Sequence, residues 1–214
     1  MGPQAITTVV TAASTYDLTT LAVVKEEVGV TGNDSNTRLQ RYLTAASAAI
    51  AQYCNRVIPA ETLQDDFWLQ RDRWPRIIPG GVEKLQLSRW PVASITSVTE
   101  NAVALVENTD FRVDKTIGQL IRLDDSGYPK LWPVYPISVV YVGGFSPIPT
   151  DIADAAVRMV RMRWQARNRD PLVRQETVFG VREVQYWIAT GTEAGNMPPD
   201  VTDILDNYRV PVIA

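Results

Sequence analysis

The stretch Ile137-Ser-Val-Val-Tyr-Val-Gly-Gly-Phe-Ser-Pro-Ile-Pro-Thr-Asp-Ile-Ala-Asp-Ala-Ala-Val-Arg-Met-Val-Arg-Met-Arg-Trp-Gln-Ala-Arg167 changes character part-way along. Ile137 to Val142 is a β-branched and aromatic run of strand length, and Gly143, Gly144, Pro147 and Pro149 break the pattern after it. From Asp151 to about Arg167 the spacing is helical. Ile152, Ala155, Ala156, Met159, Val160, Met162, Trp164 and Ala166 cover one broad apolar arc, with Asp154, Arg158, Arg161, Gln165 and Asn168 opposite. Two arginines, Arg163 and Arg167, fall inside the arc.

Working outward from this switch, the segment before it reads as strands. Between Pro59 and Pro149 the candidate strands are Asp66 to Gln70, Lys84 to Ser88, Ser94 to Glu100, Phe111 to Asp114, Gln119 to Leu123 and Ile137 to Val142. Helices lie outside it. Asp17 is the expected cap of a first helix carrying Leu18, Leu21, Val24 and Val28, which Gly29 ends. A second runs to about Arg56 with Leu39, Tyr42, Leu43, Ala46, Ala49, Ile50 and Tyr53 along one stripe. After the third helix come Asp170-Pro171, a strand-like stretch from Thr177 to Ile188, and a last short helix with Pro199 in its first turn and Val201, Ile204, Leu205 and Tyr208 at helical spacing. The expected fold class is α+β: a helical bundle core, residues 17–58 and 149–209, with an all-β subdomain inserted at 59–148. An N-terminal arm over 1–16 and an extended tail over 210–214 complete the expected organisation.

Composition removes most enzymatic readings. Among 214 residues there is no histidine and one cysteine, so His-based acid–base catalysis, His ligation, thiolate metal clusters and a disulfide framework are all excluded. The pairs Glu26-Glu27, Asp65-Asp66 and Asp124-Asp125 cannot jointly flank one bond when adjacent on a strand; Asp124-Asp125-Ser126-Gly127 is a turn signature, and the others read as solvated surface. Gly80-Gly81 and Gly143-Gly144 lack the surroundings of a phosphate-binding loop. No catalytic residue, metal ligand or cofactor is expected. A net charge of -3 speaks against a general nucleic-acid binder, and no apolar run reaches the ~18 residues of a membrane span. Met1 to Ser14 carries no Lys or Arg, unlike the start of a secretory signal, so a soluble protein assembled in a reducing cytoplasm is expected.

What remains points to contacts with other proteins. Arginines outnumber lysines 17 to 4, and Arg158, Arg161, Arg163, Arg167, Arg169 and Arg174 face a single acid, Asp170, in their stretch. A solvated helix with a favourable C-terminal dipole is one reading; an intersubunit carboxylate or a passing phosphate is the other. Trp74, Trp90 and Trp132 each precede a proline among six tryptophans, which serve equally as interface anchors or core filling. The end of the chain, Tyr208-Arg-Val-Pro-Val-Ile-Ala214, is apolar and proline-stiffened. Such an end either frays, as termini do, or docks into a groove or sheet edge of a partner, where Val210, Val212 and Ile213 gain from burial.

Several segments in order resemble the tailed-phage head-to-tail connector family, the adaptor or head completion proteins. They are Leu21-Ala-Val-Val-Lys25, Arg41 to Arg56, Trp90-Pro-Val-Ala-Ser-Ile-Thr-Ser-Val98, Asp110-Phe-Arg-Val-Asp114 with Gly118-Gln-Leu-Ile121, Val139-Val-Tyr-Val-Gly-Gly-Phe145 leading into Asp151 to Arg163, and Asp203 to Arg209. The resemblance spans about residues 17 to 209. It implies a ring of twelve copies under the portal protein, with a stopper or tail-completion protein on the opposite side and genomic DNA passing non-specifically through the lumen. It also implies a portal-binding C-terminal segment, here Tyr208, Arg209, Val210, Pro211, Val212, Ile213 and Ala214. The long β insertion and the arginine-rich third helix depart from shorter relatives. Rival readings are another neck or tail-completion part, such as a stopper, and a nucleic-acid-binding module using Arg158 to Arg174. A hydrolase would need a nucleophile elbow, a histidine or metal ligands that the sequence does not offer.

Overall fold

The computed structural model describes residues 5–68, 81–167, 175–178, 182–185 and 197–211. The chain divides into two compact units, one formed by Met1–Ser14 with Pro59–Pro147 and the other by Thr15–Ile58 with Ile148–Ala214. The class is mixed α+β with antiparallel sheets, and four α-helices are found among the described residues.

The β unit holds strands β1 (Ala5–Thr11), β2 (Glu61–Trp68), β3 (Lys84–Gln86), β4 (Val92–Glu100), β5 (Val103–Leu105), β6 (Phe111–Asp114), β7 (Gln119–Leu123), β8 (Pro129–Lys130) and β9 (Pro136–Gly143). One sheet has the order β1-β2-β9-β4-β5, and the second β3-β7-β6 with β8 beside β7. Their inner faces share one core: Leu63, Phe67, Val98, Ile137 and Val139 from the first sheet meet Leu85, Phe111, Leu120 and Trp132 from the second strands and their loops. The two-residue period explains the selection, since β9 alternates buried Ile137, Val139 and Tyr141 with half-buried Ser138, Val140 and Val142. Gly144 closes the turn after β9 at φ +116°, and a Cβ there would lie 2.6 Å from the Pro59 carbonyl oxygen. The Asp124 turn forms as its sequence dictates: Oδ1 accepts from the amides of Ser126 and Tyr128, each at 2.9 Å.

This unit differs from the sequence reading in strands β1, β5 and β8, which lie outside the expected strands, and in the burial of Asp65. Strand β1 lies ahead of the first expected strand. Asp65, read as solvated surface, is fully buried: its Oδ2 accepts from the Ser88 amide at 2.7 Å and from the Tyr141 hydroxyl at 2.9 Å. Beside it, buried Glu61 pairs with Arg89. Both acids occupy the inward positions of β2, alternating with Leu63 and Phe67. The pleat therefore carries them into the core, where hydrogen bonds offset the cost of burial.

The helical unit contains α1 (Leu21–Glu27), α2 (Asn36–Tyr53), α3 (Thr150–Ala166) and α4 (Pro199–Leu205), followed by a 3-10 turn over Asp206–Tyr208. Helix α3 packs against α1, α2 and α4. Its buried residues are Ile152, Ala155, Ala156, Val157, Met159 and Val160, and those of α2 are Leu39, Leu43, Ala46, Ser47 and Ile50; Val157 and Ser47 lie outside the expected stripes, whose Tyr42, Ala49, Tyr53, Met162, Trp164 and Ala166 are only half-buried. Helix α1 starts later than expected because Thr20, not Asp17, caps it, with Oγ1 accepting from the Val23 amide at 3.4 Å. Asp17 instead accepts from Gln40 Nε2 at 2.5 Å. Gly29, at φ +69°, ends the helix as predicted. In place of one strand over Thr177 to Ile188 there are two antiparallel strands, β10 (Gln175–Val178) and β11 (Arg182–Gln185). Among the described residues no helix is long and apolar enough to cross a membrane.

Candidate functional site

The expected partner-binding residues lie on α3 and at the C-terminus, both in the helical unit. Helix α4 begins with Pro199 at its first turn and buries Val201 and Leu205, which holds it on α3. The chain then tightens into the 3-10 turn and leaves it at Arg209 in extended conformation. Three contacts fasten this exit. The Tyr53 hydroxyl at the end of α2 donates to Asp206 Oδ1 at 2.6 Å, the Tyr208 hydroxyl donates to Asp151 Oδ2 at 2.7 Å, and the Val210 amide donates to the Cys54 carbonyl at 3.0 Å. The Arg209 guanidinium stands over the Tyr53 ring, 5.2 Å from its centroid. Asp151, one residue into α3, accepts from Tyr208 where the helix dipole favours a negative charge.

The electrostatics of this clasp stem from burial and the two carboxylates. Burial first, and then the hydrogen bond to Asp151, push the Tyr208 hydroxyl up to about 12. The hydrogen bond to Asp206 is the main cause raising Tyr53. Burial lifts the Cys54 thiol to about 11, so it behaves as a small core residue beneath the clasp.

Of the expected C-terminal segment, Tyr208, Arg209 and Val210 are thus engaged within the helical unit. Pro211 is exposed, and Val212, Ile213 and Ala214 lie outside the described residues. The tyrosine partners Asp151 and Asp206 carry no mark of this role in the sequence. Their signal is indirect: Asp151 is legible as a helix start, and Asp206 sits two residues before Tyr208.

Helix α3 distributes its arginines differently from the expectation. Arg158 Nε donates to Asp154 at 2.7 Å and its Nη1 to Asp200 at 3.3 Å, tying α3 to α4; the bond to Asp154 is the main reason its pKa is raised. Arg161 Nη1 donates to Glu27 at 2.6 Å, tying α3 to α1. Arg167, placed by the helical wheel inside a buried arc, is exposed: it donates to the Trp164 carbonyl at 2.6 Å and lies 4.0 Å from the Trp164 ring centroid. The buried face of α3 ends at Val160, so the arc continues beyond the core and Arg167 needs no outside partner. Arg163 is half-buried and makes no hydrogen bond or ion pair among the described residues. Arg169 and Arg174, like Trp74, lie outside the described residues. Trp132, one of the three tryptophans preceding proline, is fully buried in the β unit with Nε1 donating to the Leu120 carbonyl at 3.2 Å. Among the described residues no group of acids and cysteine is arranged to hold a metal ion.

The family model for head completion proteins matches residues 17–210. The chain belongs to the head completion protein family. Its fold is also seen in solved particles. This head completion protein is similar to a chain in the neck of an empty GTA particle computed with C6 symmetry, at 17% identity and TM-score 0.53, with 98% of this chain and 97% of the other covered. It is similar as well to a chain in the virion of a native gene transfer agent particle, at 16% identity and TM-score 0.54 with the same coverage. A third similarity is to a chain in the neck of a native GTA particle computed with C12 symmetry, at 17% identity, TM-score 0.53 and the same coverage. At these identities the likeness concerns the fold, and it extends over both units of this head completion protein. No curated protein sequence matches the chain.

Proposed function

We propose that this head completion protein is the structural adaptor of a phage-type head-to-tail connector: a ring subunit that docks on the portal protein and links it to the stopper or tail while DNA passes through the lumen. The observation that carries the reading is the family match over residues 17–210, reinforced by a fold shared over 98% of the chain with chains of two particle necks, computed with C6 and C12 symmetry. The role is structural and not catalytic. Residues 17–58 and 149–209 are the ring-forming helical core, 59–148 the buttressing β subdomain, and twelve copies close the ring.

The clasp supports a narrower reading of the portal-binding segment Tyr208 to Ala214. Tyr208 to Val210 fix the point and direction of departure, and residues from Pro211 onward reach the partner. The exposed ion pairs of Arg158 and Arg161 are weak, so neighbouring carboxylates or passing phosphates can exchange with Asp154, Asp200 and Glu27. Of the described arginines of α3, Arg163 is the one with no hydrogen bond or ion pair to exchange. Co-sedimentation with portal and imaging of the resulting necks test the reading. A ring on the portal supports it, whereas retention by tail components alone would favour a stopper role.

A further inference from the structure

Strand β1 forms one edge of the five-stranded sheet, and among the described residues it pairs only with β2. Its sequence Ala5-Ile-Thr-Thr-Val-Val-Thr11 contains no charge and no proline, and six of its seven residues are exposed, Ile6 at 62%. Edge strands are ordinarily guarded by lysine, proline, short length or a covering element. Here the guard is a single register shift between Val9 and Thr11, which leaves Ala5 to Val9 in regular pairing with β2. Among the described residues this uncharged edge carries no further strand, and an edge of this length is a template for one.

Among the described residues the opposite edge of the same sheet is open as well. Strand β5, Val103–Leu105, pairs only with β4 among the described residues, carries no charge, and leaves Val103 63% exposed. Four successive antiparallel pairings, β1 to β2, β2 to β9, β9 to β4 and β4 to β5, make β5 run in the same direction as β1. Repeating the sheet head to tail sets β5 of one copy parallel to β1 of the next. The main-chain donors and acceptors open on each edge then face one another.

We propose that β1 is an intersubunit surface whose occupant is the β5 edge of a neighbouring copy of this chain. The inference rests on the ring reading above, and ring symmetry selects this occupant. Pairing of β1 with β1 of a second copy is two-fold and stops at a dimer, whereas a ring needs two different surfaces that meet head to tail. The two edges of one sheet are such a pair. Because β5 is short, the bonds are few, which suits a contact that forms when copies are already gathered on a template.

The test uses the full chain mixed with portal. Ile6 and Ala104 stand on the same sheet face, through the rows Ile6–Asp66, Asp66–Ser138, Ser138–Thr99 and Thr99–Ala104. The double variant Ile6→Cys with Ala104→Cys, treated with a short bismaleimide, should give a ladder of covalent oligomers once rings have formed, while buried Cys54 stays unreacted. The double variant Ile6→Lys with Thr8→Lys should keep the wild-type melting profile and lose the rings. Rings of wild-type yield from the lysine variant, or rings of the cysteine variant without a ladder, would overturn the β1 assignment and leave the ring reading standing. Failure of the unmodified chain to form rings on portal would overturn the ring reading, and the assignment with it.

Discussion

The two units handle polar side chains in opposite ways. In the β unit charge is inside: Asp65, Glu61 and Arg122 are buried, and Arg122 donates to Glu100 at 3.0 Å while facing the Trp132 ring. In the helical unit the one buried polar residue among those described is Ser47, which accepts from the Leu18 amide at 3.1 Å; its ion pairs lie at the surface. A buried hydrogen-bonded carboxylate tolerates one register only, because any shift strands it without partners. Surface pairs can be exchanged at little cost. The difference suits a β unit that keeps its shape and a helical unit whose outward groups are available to neighbours.

The largest expected effect comes from breaking the buried network. Asp65→Ala leaves the Tyr141 hydroxyl and the Ser88 amide without their acceptor and should cost about 4 kcal/mol in denaturant unfolding. In the helical unit the corresponding change, Ser47→Ala, strands only the Leu18 amide and should cost about 2 kcal/mol by the same measurement. Tyr208→Phe removes the bond to Asp151 and should cost about 1 kcal/mol at neutral pH.

Tyr208 also predicts a pH dependence. Its folded-state pKa is raised from 10.0 to about 12, so the protonated hydroxyl is the form that folding favours. The contribution is complete below pH 10 and is lost as pH rises towards 12. Cys54, raised from 9.0 to about 11, adds a loss of the same sign over a lower window. Melting curves of the Tyr208→Phe variant should be flatter between pH 10 and 12 than those of the unmodified chain. The smallest effect belongs to the surface: Arg161→Ala, which frees Glu27, should change stability by about 0.5 kcal/mol, and less in high salt.

How far the sequence can be read depends on whether a segment obeys one period. The strand limits Phe111–Asp114 and Gln119–Leu123 and the stripes of α2 and α3 arise from alternation or helical spacing, and they are legible. Strand β2 is legible only from Asp66 because its inward positions alternate Glu61 and Asp65 with Leu63 and Phe67, which hides the apolar face. Strand β1 escapes a sequence reading because its side chains are exposed on both faces, so no polar-apolar alternation marks it. Arg167 is misplaced for the converse reason: the helical period continues past the point where α3 leaves the core. The Tyr53–Asp206 and Tyr208–Asp151 bonds join residues 153 and 57 positions apart, a pairing that local pattern cannot supply. The candidate site is therefore legible as a region, and the point where the clasp ends is not.

That point gives the most direct test of the adaptor reading. A chain ending at Val210 keeps the clasp, so it should melt like the full-length protein, yet it should fail to co-sediment with portal or to appear as a ring in images of the neck. A truncated chain that still caps the portal with a ring at full yield would contradict the account.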